Sequence, residues 1–426
     1  MNWRSYLSRP YKKTTDDIAD TISNVVTDDS EVLVASSQQS QRYQDRVAAF
    51  TDCLTTPIVP MRLFRALSFD GIPDKKGLRS TCWKILLGYL PPDSAEWMDC
   101  LQQQRSHYQK FLSDFVVNPF SQQPLSAVPH QLSVEPTPEL GSSADHCVDN
   151  PLYHNGTPGT WSKFFDDNTL RDEIAKDVQR THAAMHFFTQ KVDYRGLFPT
   201  PSSNENGQEK QSETHHQILS RILFVYAQLN PGVRYVQGMN ELLAPLYYVF
   251  AQDPDPMHRA HCEADAFFCF TAIMAELKDR FIASLDSSDS GLSSCIDEFR
   301  DIFRRADPEL YFHLESNHVD ARYYSLRWLT LLCSQEFHLP DVLRLWDSLL
   351  SDPYRFDFLA YFCCSMLICI RVHLLAMDYA DMLQTLQKYP HIEMIKILNG
   401  AVSLRCRLSG HRVSFSENLP TSNIYR

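Results

Sequence analysis

Apolar residues recur at spacings of three and four along most of this chain, and this periodicity is the strongest constraint on its fold. The pattern is clearest at Trp83, Leu86, Leu87 and Leu90, and at Ile218, Ile222, Val225, Tyr226 and Leu229. Such spacing places apolar side chains along one face of an α-helix, and no segment shows a convincing period of two. The chain is therefore predicted to be all-α. Further helices are expected over 242–251, 264–285, 294–304, 321–334, 342–349, 356–375 and 379–387.

Three stretches interrupt the helical pattern. The segment Thr14–Gln41 contains acidic, Ser, Thr and Gln residues but no Lys or Arg, a composition that buries too little apolar surface to order itself. We therefore expect residues 1–41 to form a flexible tail. Polar, Pro-containing stretches near 118–160 and 195–217 are expected to be surface insertions.

Charge and composition exclude several classes of protein. Forty Lys and Arg against 52 Asp and Glu give a net charge of −12, which argues against nucleic-acid binding. Only 13 residues are Gly, and neither a GxGxxG nor a GxxxxGK[ST] motif is present, so the chain has no phosphate loop of its own.

The longest apolar run, Phe358–Ile370, is shorter than the ~20 residues of a membrane span. The 12 Cys contain no CxxC pair, as is typical of reduced thiols in a cytosolic protein.

Two cysteine-containing groups could carry chemistry. His258, His261, Cys262 and Asp265 would share one face of a helix, so a metal site is conceivable. A helix start leading into an apolar core face is the favoured interpretation, and no metal is expected. For the adjacent pair Cys363 and Cys364, in an apolar helix, packing is favoured over a redox role.

Two polar segments stand out from the packing pattern. In the first, Ile174, Asp177 and Arg180 follow one side of a helix, so the carboxylate could orient the guanidinium as a fork suited to a phosphate. In the second, Tyr235 and Gln237 lie in a loop between two apolar helices, before Gly238, Met239 and Asn240. Each segment alone is equally consistent with a surface ion pair or an ordinary turn.

Together these segments resemble the paired IxxDxxR and YxQ motifs of TBC-domain Rab GTPase-activating proteins. The order of the two motifs agrees with the family. The flanking sequences Gly71-Ile72-Pro73, Cys82-Trp83, Glu263–Phe267, Arg327-Trp328, Glu336-Phe337 and Leu345-Trp346-Asp347 are also similar to family signatures. The resemblance covers about residues 68–390, which leaves 42–67 as an N-terminal helical extension and 391–426 as a C-terminal tail.

The resemblance implies a two-lobed helical domain that completes the active site of a GTP-bound Rab in trans. Arg180 would be the arginine finger and Gln237 the glutamine finger, which orients the attacking water. Ile174, Asp177, Tyr235, Gly238 and Asn240 would support the fingers or contact the Rab. GTP and Mg²⁺ would belong to the Rab, so this chain would need no cofactor.

The resemblance also implies a role in vesicle trafficking. The protein would be cytoplasmic or peripheral on endomembranes, with membrane contact made indirectly through the Rab. A catalytically inactive Rab-binding scaffold is the main alternative, although a scaffold would need neither Arg180 nor Gln237. Trp83, Trp328 and Trp346 are expected to be core residues.

Overall fold

The computed structural model describes residues 40–75, 77–115, 160–182, 185–192, 213–281 and 291–409. These residues form α-helices joined by short 3-10 segments and turns, and their only β-type pairings are the isolated bridges Ile58–Asp93 and Lys191–Thr214. The chain divides into one unit up to Thr56 and a second from Pro57 onward. In the first unit, helix α1 spans 40–55. None of the described helices is both long and apolar enough to cross a bilayer.

The helices of the second unit form two groups, or lobes. The N-terminal lobe contains α3 (Leu78–Leu86), α4 (Trp97–Phe115), α5 (Thr160–Val178), α6 (His186–Thr189), α7 (His215–Leu229), α8 (Met239–Ala251), α9 (Pro256–Ala260) and α10 (Cys262–Leu277). The C-terminal lobe contains α11 (Leu292–Ala306), α12 (Pro308–Ser316), α13 (Arg322–Thr330), α14 (Leu339–Ser351), α15 (Asp357–Cys369), α16 (Arg371–Leu374), α17 (Tyr379–Gln387) and α18 (Met394–Ser409). Helix α2 (Met61–Phe69) packs on α14, which also contacts α3 and α8. The expected all-α, two-lobed fold is confirmed.

The three tryptophans expected in the core are fully buried. Trp83, Trp328 and Trp346 each have an exposed fraction of 0%. The rings of Trp83 and Trp346 lie 5.9 Å apart across the contact between α3 and α14. The expectation that these three tryptophans are core residues is therefore confirmed.

Asp265 lies in a buried cluster of ion pairs. Its carboxylate accepts hydrogen bonds from Lys84 Nζ at 2.6 Å, from Tyr89 Oη at 2.8 Å, and from Arg105 Nε and Nη2 at 3.0 and 2.9 Å. Burial alone would raise the pKa of Asp265, but Lys84 and Arg105 lower it to about 2. This carboxylate, considered above as a metal ligand, instead joins α3, α4 and α10.

Three helices expected from the periodicity end early or are interrupted. The helix expected over 264–285 ends at Leu277 and is followed by the 3-10 segment Lys278–Arg280. The helix expected over 321–334 stops at Thr330, and residues Leu331–Gln335 form turns in which Leu332 and Cys333 have φ values of 51° and 56°. The apolar pattern continues because Leu331, Leu332 and Cys333 are all buried, although the backbone has left the helix. The helix expected over 356–375 is interrupted at Ile370 between α15 and α16.

The boundaries of the polar stretches also differ from the sequence-based expectations. Within 391–426, assigned above to a tail, Met394–Ser409 form helix α18. Ile397, Ala401 and Leu404 on this helix are buried at helical spacing, and Arg405 pairs with the fully buried Asp352. The flexible tail 1–41 and the two insertions lie almost wholly outside the described residues, although α5 begins at Thr160 and α7 at His215.

Removal of the Asp265 carboxylate should lower the free energy of unfolding much more than removal of a surface carboxylate. Asp265→Ala leaves the ammonium of Lys84, which is only 3% exposed, without its partner. We expect the free energy of unfolding to fall by about 3–5 kcal/mol. Asp301→Ala is the matched control, because Asp301 also pairs with two cationic side chains but is 49% exposed, and its loss should cost less than about 1 kcal/mol. Equal shifts of the two variants in urea unfolding would contradict this assignment.

Candidate functional site

The first polar segment ends a helix and enters a tight turn. Helix α5 ends at Val178, so Arg180 lies just beyond the helix rather than on it, and its backbone amide donates to the Asp177 carbonyl at 3.0 Å. Ile174 is fully buried and anchors the last turns of α5. The Arg180 side chain is 73% exposed, and its Nη1 lies 3.7 Å from Asp177 Oδ1. This is a loose ion pair rather than the fixed fork considered above, and it leaves the guanidinium free to reach outward.

The second segment is a loop between α7 and α8. Asn230 donates its side-chain amide to the Tyr226 carbonyl at 2.8 Å and so fastens the start of the loop to α7. Gly238 precedes α8 with a φ of +103°, a conformation that favours glycine. A β-carbon at this position would lie 2.9 Å from Leu331 Cδ2. Gln237, immediately before this glycine, is exposed.

Hydrogen bonds join the two segments directly. Tyr235 Oη donates to Asp177 Oδ2 at 2.9 Å, and Asn240 Nδ2 donates to Thr181 Oγ1 at 2.7 Å. Thr181 and Asn240 are both buried. Burial and the nearby Asp177 carboxylate raise the pKa of Tyr235, so its hydroxyl remains protonated and donates this bond. The residues that flank Arg180 and Gln237 therefore form one hydrogen-bonded base, which we call the finger base: Asp177, Thr181, Tyr235 and Asn240.

A buried carboxylate lies beside the finger base. Glu241, in the first turn of α8, is 6% exposed, and Asn240 Nδ2 lies 3.3 Å from its Oε1. Burial is the main cause that raises the pKa of Glu241 to about 7; Asp177 raises it further, and the side-chain amide of Gln335 acts in the opposite direction. The charge of this carboxylate therefore changes near neutral pH.

The arrangement presents two exposed polar side chains on a fixed base. A guanidinium can stabilise negative charge on a phosphate, and a primary amide can both donate to and accept from a water molecule. Within the described residues, no group of three or more His, Cys, Asp and Glu side chains is placed to hold a metal ion. A cavity of about 640 Å³ between α5 and α7 is lined by neither Arg180 nor Gln237. Both side chains are thus exposed on the surface of the described residues, and neither lines this cavity.

The structure brings together all seven residues that the sequence singled out, and it adds others. Ile174, Asp177, Arg180, Tyr235, Gln237, Gly238 and Asn240 lie on the joined ends of α5, the loop and α8. Thr181 and Glu241 adjoin these residues in the sequence, and a polar residue in the buried part of an otherwise apolar helix is the signal that could have identified Glu241. Nothing local to Leu331 or Gln335 indicates that they lie near this site.

The titration of Glu241 should make the stability of the chain depend on pH. Its pKa of about 7 exceeds its ordinary value of 4.5, so between these values the folded chain holds a proton that the unfolded chain releases. The free energy of unfolding should therefore fall as pH rises through this interval, by up to about 1.4 kcal/mol per unit from this residue.

Glu241→Gln should remove that dependence. We expect the variant to gain stability relative to wild type between pH 4.5 and 7, with a constant difference above pH 8, as measured by urea unfolding at each pH. Glu96→Gln is the control, because Glu96 is exposed and its carboxylate is solvated in both states. A difference for Glu241→Gln that is independent of pH would show that Glu241 is not the titrating group.

Comparison with known proteins identifies the family. The Rab-GTPase-TBC domain family matches residues 190–375. Human TBC1 domain family member 13 is 38% identical over 411 residues, which cover 86% of this chain and 99% of that protein. The GTPase-activating protein gyp1 of Schizosaccharomyces pombe is 25% identical, over 83% of this chain and 58% of that protein. The crystal structure of the Ypt/Rab-GAP domain of Gyp1p shares the fold, with a TM-score of 0.63 at 23% identity over 86% of this chain and 98% of that domain. On this identity and coverage, the chain belongs to the TBC-domain family of Rab GTPase-activating proteins.

Proposed function

We propose that this chain is a GTPase-activating protein for a Rab-family GTPase, and that Arg180 and Gln237 enter the active site of the GTP-bound Rab. The observation that carries this proposal is the finger base. It holds the backbones of two distant segments together while both side chains remain exposed. An external phosphate site is the kind of target that such a pair fits.

The chemistry of GTP hydrolysis explains why these two groups suffice. The transferring phosphoryl group develops charge on its oxygens, and a water molecule must be held in line with it, but no covalent step is required of the activating protein. Arg180 supplies the cation. Gln237 orients the water, because its amide can accept one water hydrogen while it donates elsewhere.

The other residues of the site keep the two fingers in place. Tyr235 and Asn240 fasten the loop to the end of α5 through Asp177 and Thr181. Ile174 anchors α5 in the core. Gly238 adopts the positive-φ backbone conformation that precedes α8. Positioning of this kind makes up a large part of the rate enhancement in phosphoryl transfer.

GTP and Mg²⁺ belong to the partner in this proposal. The chain acts at the endomembranes that carry its Rab and reaches them through the Rab, so that it limits the lifetime of the GTP-bound state during vesicle trafficking. A Rab-binding scaffold would bind the same partner without accelerating hydrolysis, and the experiment below distinguishes the two.

Single-turnover GTP hydrolysis by a panel of GTP-loaded Rabs tests the proposal. Wild-type chain should accelerate hydrolysis by one or a few Rabs, and both Arg180→Ala and Gln237→Ala should lose most of the acceleration, since an arginine finger contributes about 10³–10⁵ in rate. Arg180→Lys should also be impaired, because an ammonium keeps the charge but lacks the planar fork.

Two exposed residues of the C-terminal lobe serve as matched controls. Arg304→Ala and Gln384→Ala remove the same side chains from the surfaces of α11 and α17 and should keep full activity. All variants should unfold at the wild-type temperature. Binding of a Rab without acceleration by wild type would favour the scaffold, and full activity of either finger variant would overturn the assignment of that finger.

A further inference from the structure

The turn after α13 reaches across from the C-terminal lobe to the loop that carries Gln237. Leu331 is 7% exposed, and its Cδ2 occupies the space beside the Gly238 α-carbon, 2.9 Å from where a β-carbon would lie. Four residues later, the side chain of Gln335 forms a hydrogen bond with the buried carboxylate of Glu241, which lowers the pKa of that carboxylate. Two side chains of one turn thus meet both the start of α8 and the glycine directly after Gln237.

This turn is itself firmly held. Trp346 Nε1 donates to the Leu332 carbonyl at 3.2 Å, and the Cys333 amide donates to the Trp328 carbonyl at 3.0 Å. Leu332 and Cys333 adopt left-handed backbone conformations, which surrounding contacts must sustain at residues that bear side chains. Its own hydrogen bonds thus hold this turn in place, so that it can support the loop that carries Gln237.

The finger base fastens the loop at one residue before Gln237 and at one residue after Gly238. It ties Tyr235 and Asn240 to α5, whereas Gln237 and Gly238 lie between those two points. A φ of +103° suits glycine, and the Met239 amide closes the turn around it by donating to the Val236 carbonyl at 3.2 Å. From outside this turn, Leu331 supplies the three heavy atoms nearest to the position of a Gly238 β-carbon.

We propose that Leu331 is a positioning residue for Gln237. It packs on Gly238 and, with Gln335, supports the loop that carries Gln237 against the C-terminal lobe. We call this pair of contacts the brace. The inference rests on the proposed function, because Gln237 is the group being positioned. It assigns to the C-terminal lobe a part in the reaction although neither finger belongs to that lobe.

Hydrogen exchange in the full-length chain tests the brace without a Rab. The loop amides that are hydrogen-bonded, and therefore measurable, are those of Val233, Arg234, Val236, Met239 and Glu241. In Leu331→Ala these amides should exchange about tenfold faster than in wild type, the effect of about 1.4 kcal/mol of lost local stability. Gln335→Ala should act in the same direction with unchanged thermal unfolding, because Gln335 is exposed. This second variant decides the question if Leu331→Ala does not fold.

Leu404→Ala is the matched control. Leu404 lies on α18 of the same lobe and is also 7% exposed, so its truncation should lower overall stability by a similar amount. It should not accelerate exchange at the loop amides beyond the change seen throughout the lobe. Loop exchange that is the same in Leu331→Ala, Gln335→Ala and wild type would overturn the brace.

Single-turnover hydrolysis with a responsive Rab connects the brace to the reaction. Leu331→Ala should lower the maximal stimulated rate about tenfold without changing the chain concentration at half-maximal rate, because it disturbs Gln237 rather than Rab binding. Leu404→Ala should keep the wild-type rate. Faster loop exchange with an undiminished rate would overturn the positioning role. If wild type accelerates no Rab, the proposed function fails, and the exchange result alone then supports or overturns the brace.

Discussion

Trp83 and Lys84 are neighbours on α3, yet they bind two different buried carboxylates. Trp83 Nε1 donates to Asp347 Oδ1 at 2.8 Å, and Lys84 Nζ donates to Asp265 Oδ2 at 2.6 Å. Both carboxylates are fully buried, so each would be very unfavourable without its donors. Burial raises the pKa of Asp347, and Arg79 only partly offsets this. One short helix thus links Asp347 of the C-terminal lobe to Asp265 of the N-terminal lobe, and separation of the two lobes would break the bonds of Trp83 and Arg79 to Asp347.

The same link extends to the functional site. Asp347 and Trp346 are adjacent on α14, so the helix that accepts the bond from α3 also donates one to the Leu332 carbonyl. Leu331 then packs on Gly238 beside Gln237. Each step is a contact between buried groups, which transmits displacement because interiors are closely packed. The position of an exposed glutamine in one lobe therefore depends on the packing of the other lobe.

Periodicity and motif predicted much of this structure, and the reasons for the rest are local. The helices of both lobes follow from the spacing of apolar residues, since burial on one face is what makes them stable. That signal failed at Leu332 and Cys333, because a buried turn and a buried helix place the same apolar residues in the core. It also failed at Arg405. The basic composition of its segment is typical of a solvated tail, but in the fold Arg405 pairs with the buried Asp352. The contact of Leu331 with Gly238 joins distant segments, and no local pattern encodes it.

The finger residues combine a fixed backbone with a free side chain, and the distances show how. Asp177 accepts a bond from Tyr235 at 2.9 Å but lies 3.7 Å from the Arg180 guanidinium. The shorter contact stabilises the joint between the two segments. The longer one is an exposed ion pair, which contributes little and is easily exchanged for a contact with a phosphate. If Arg180 were bound as tightly as Arg105 is to Asp265, its transfer to a partner would first break a buried pair. In the proposed function, this weak pair leaves Arg180 available to act in trans.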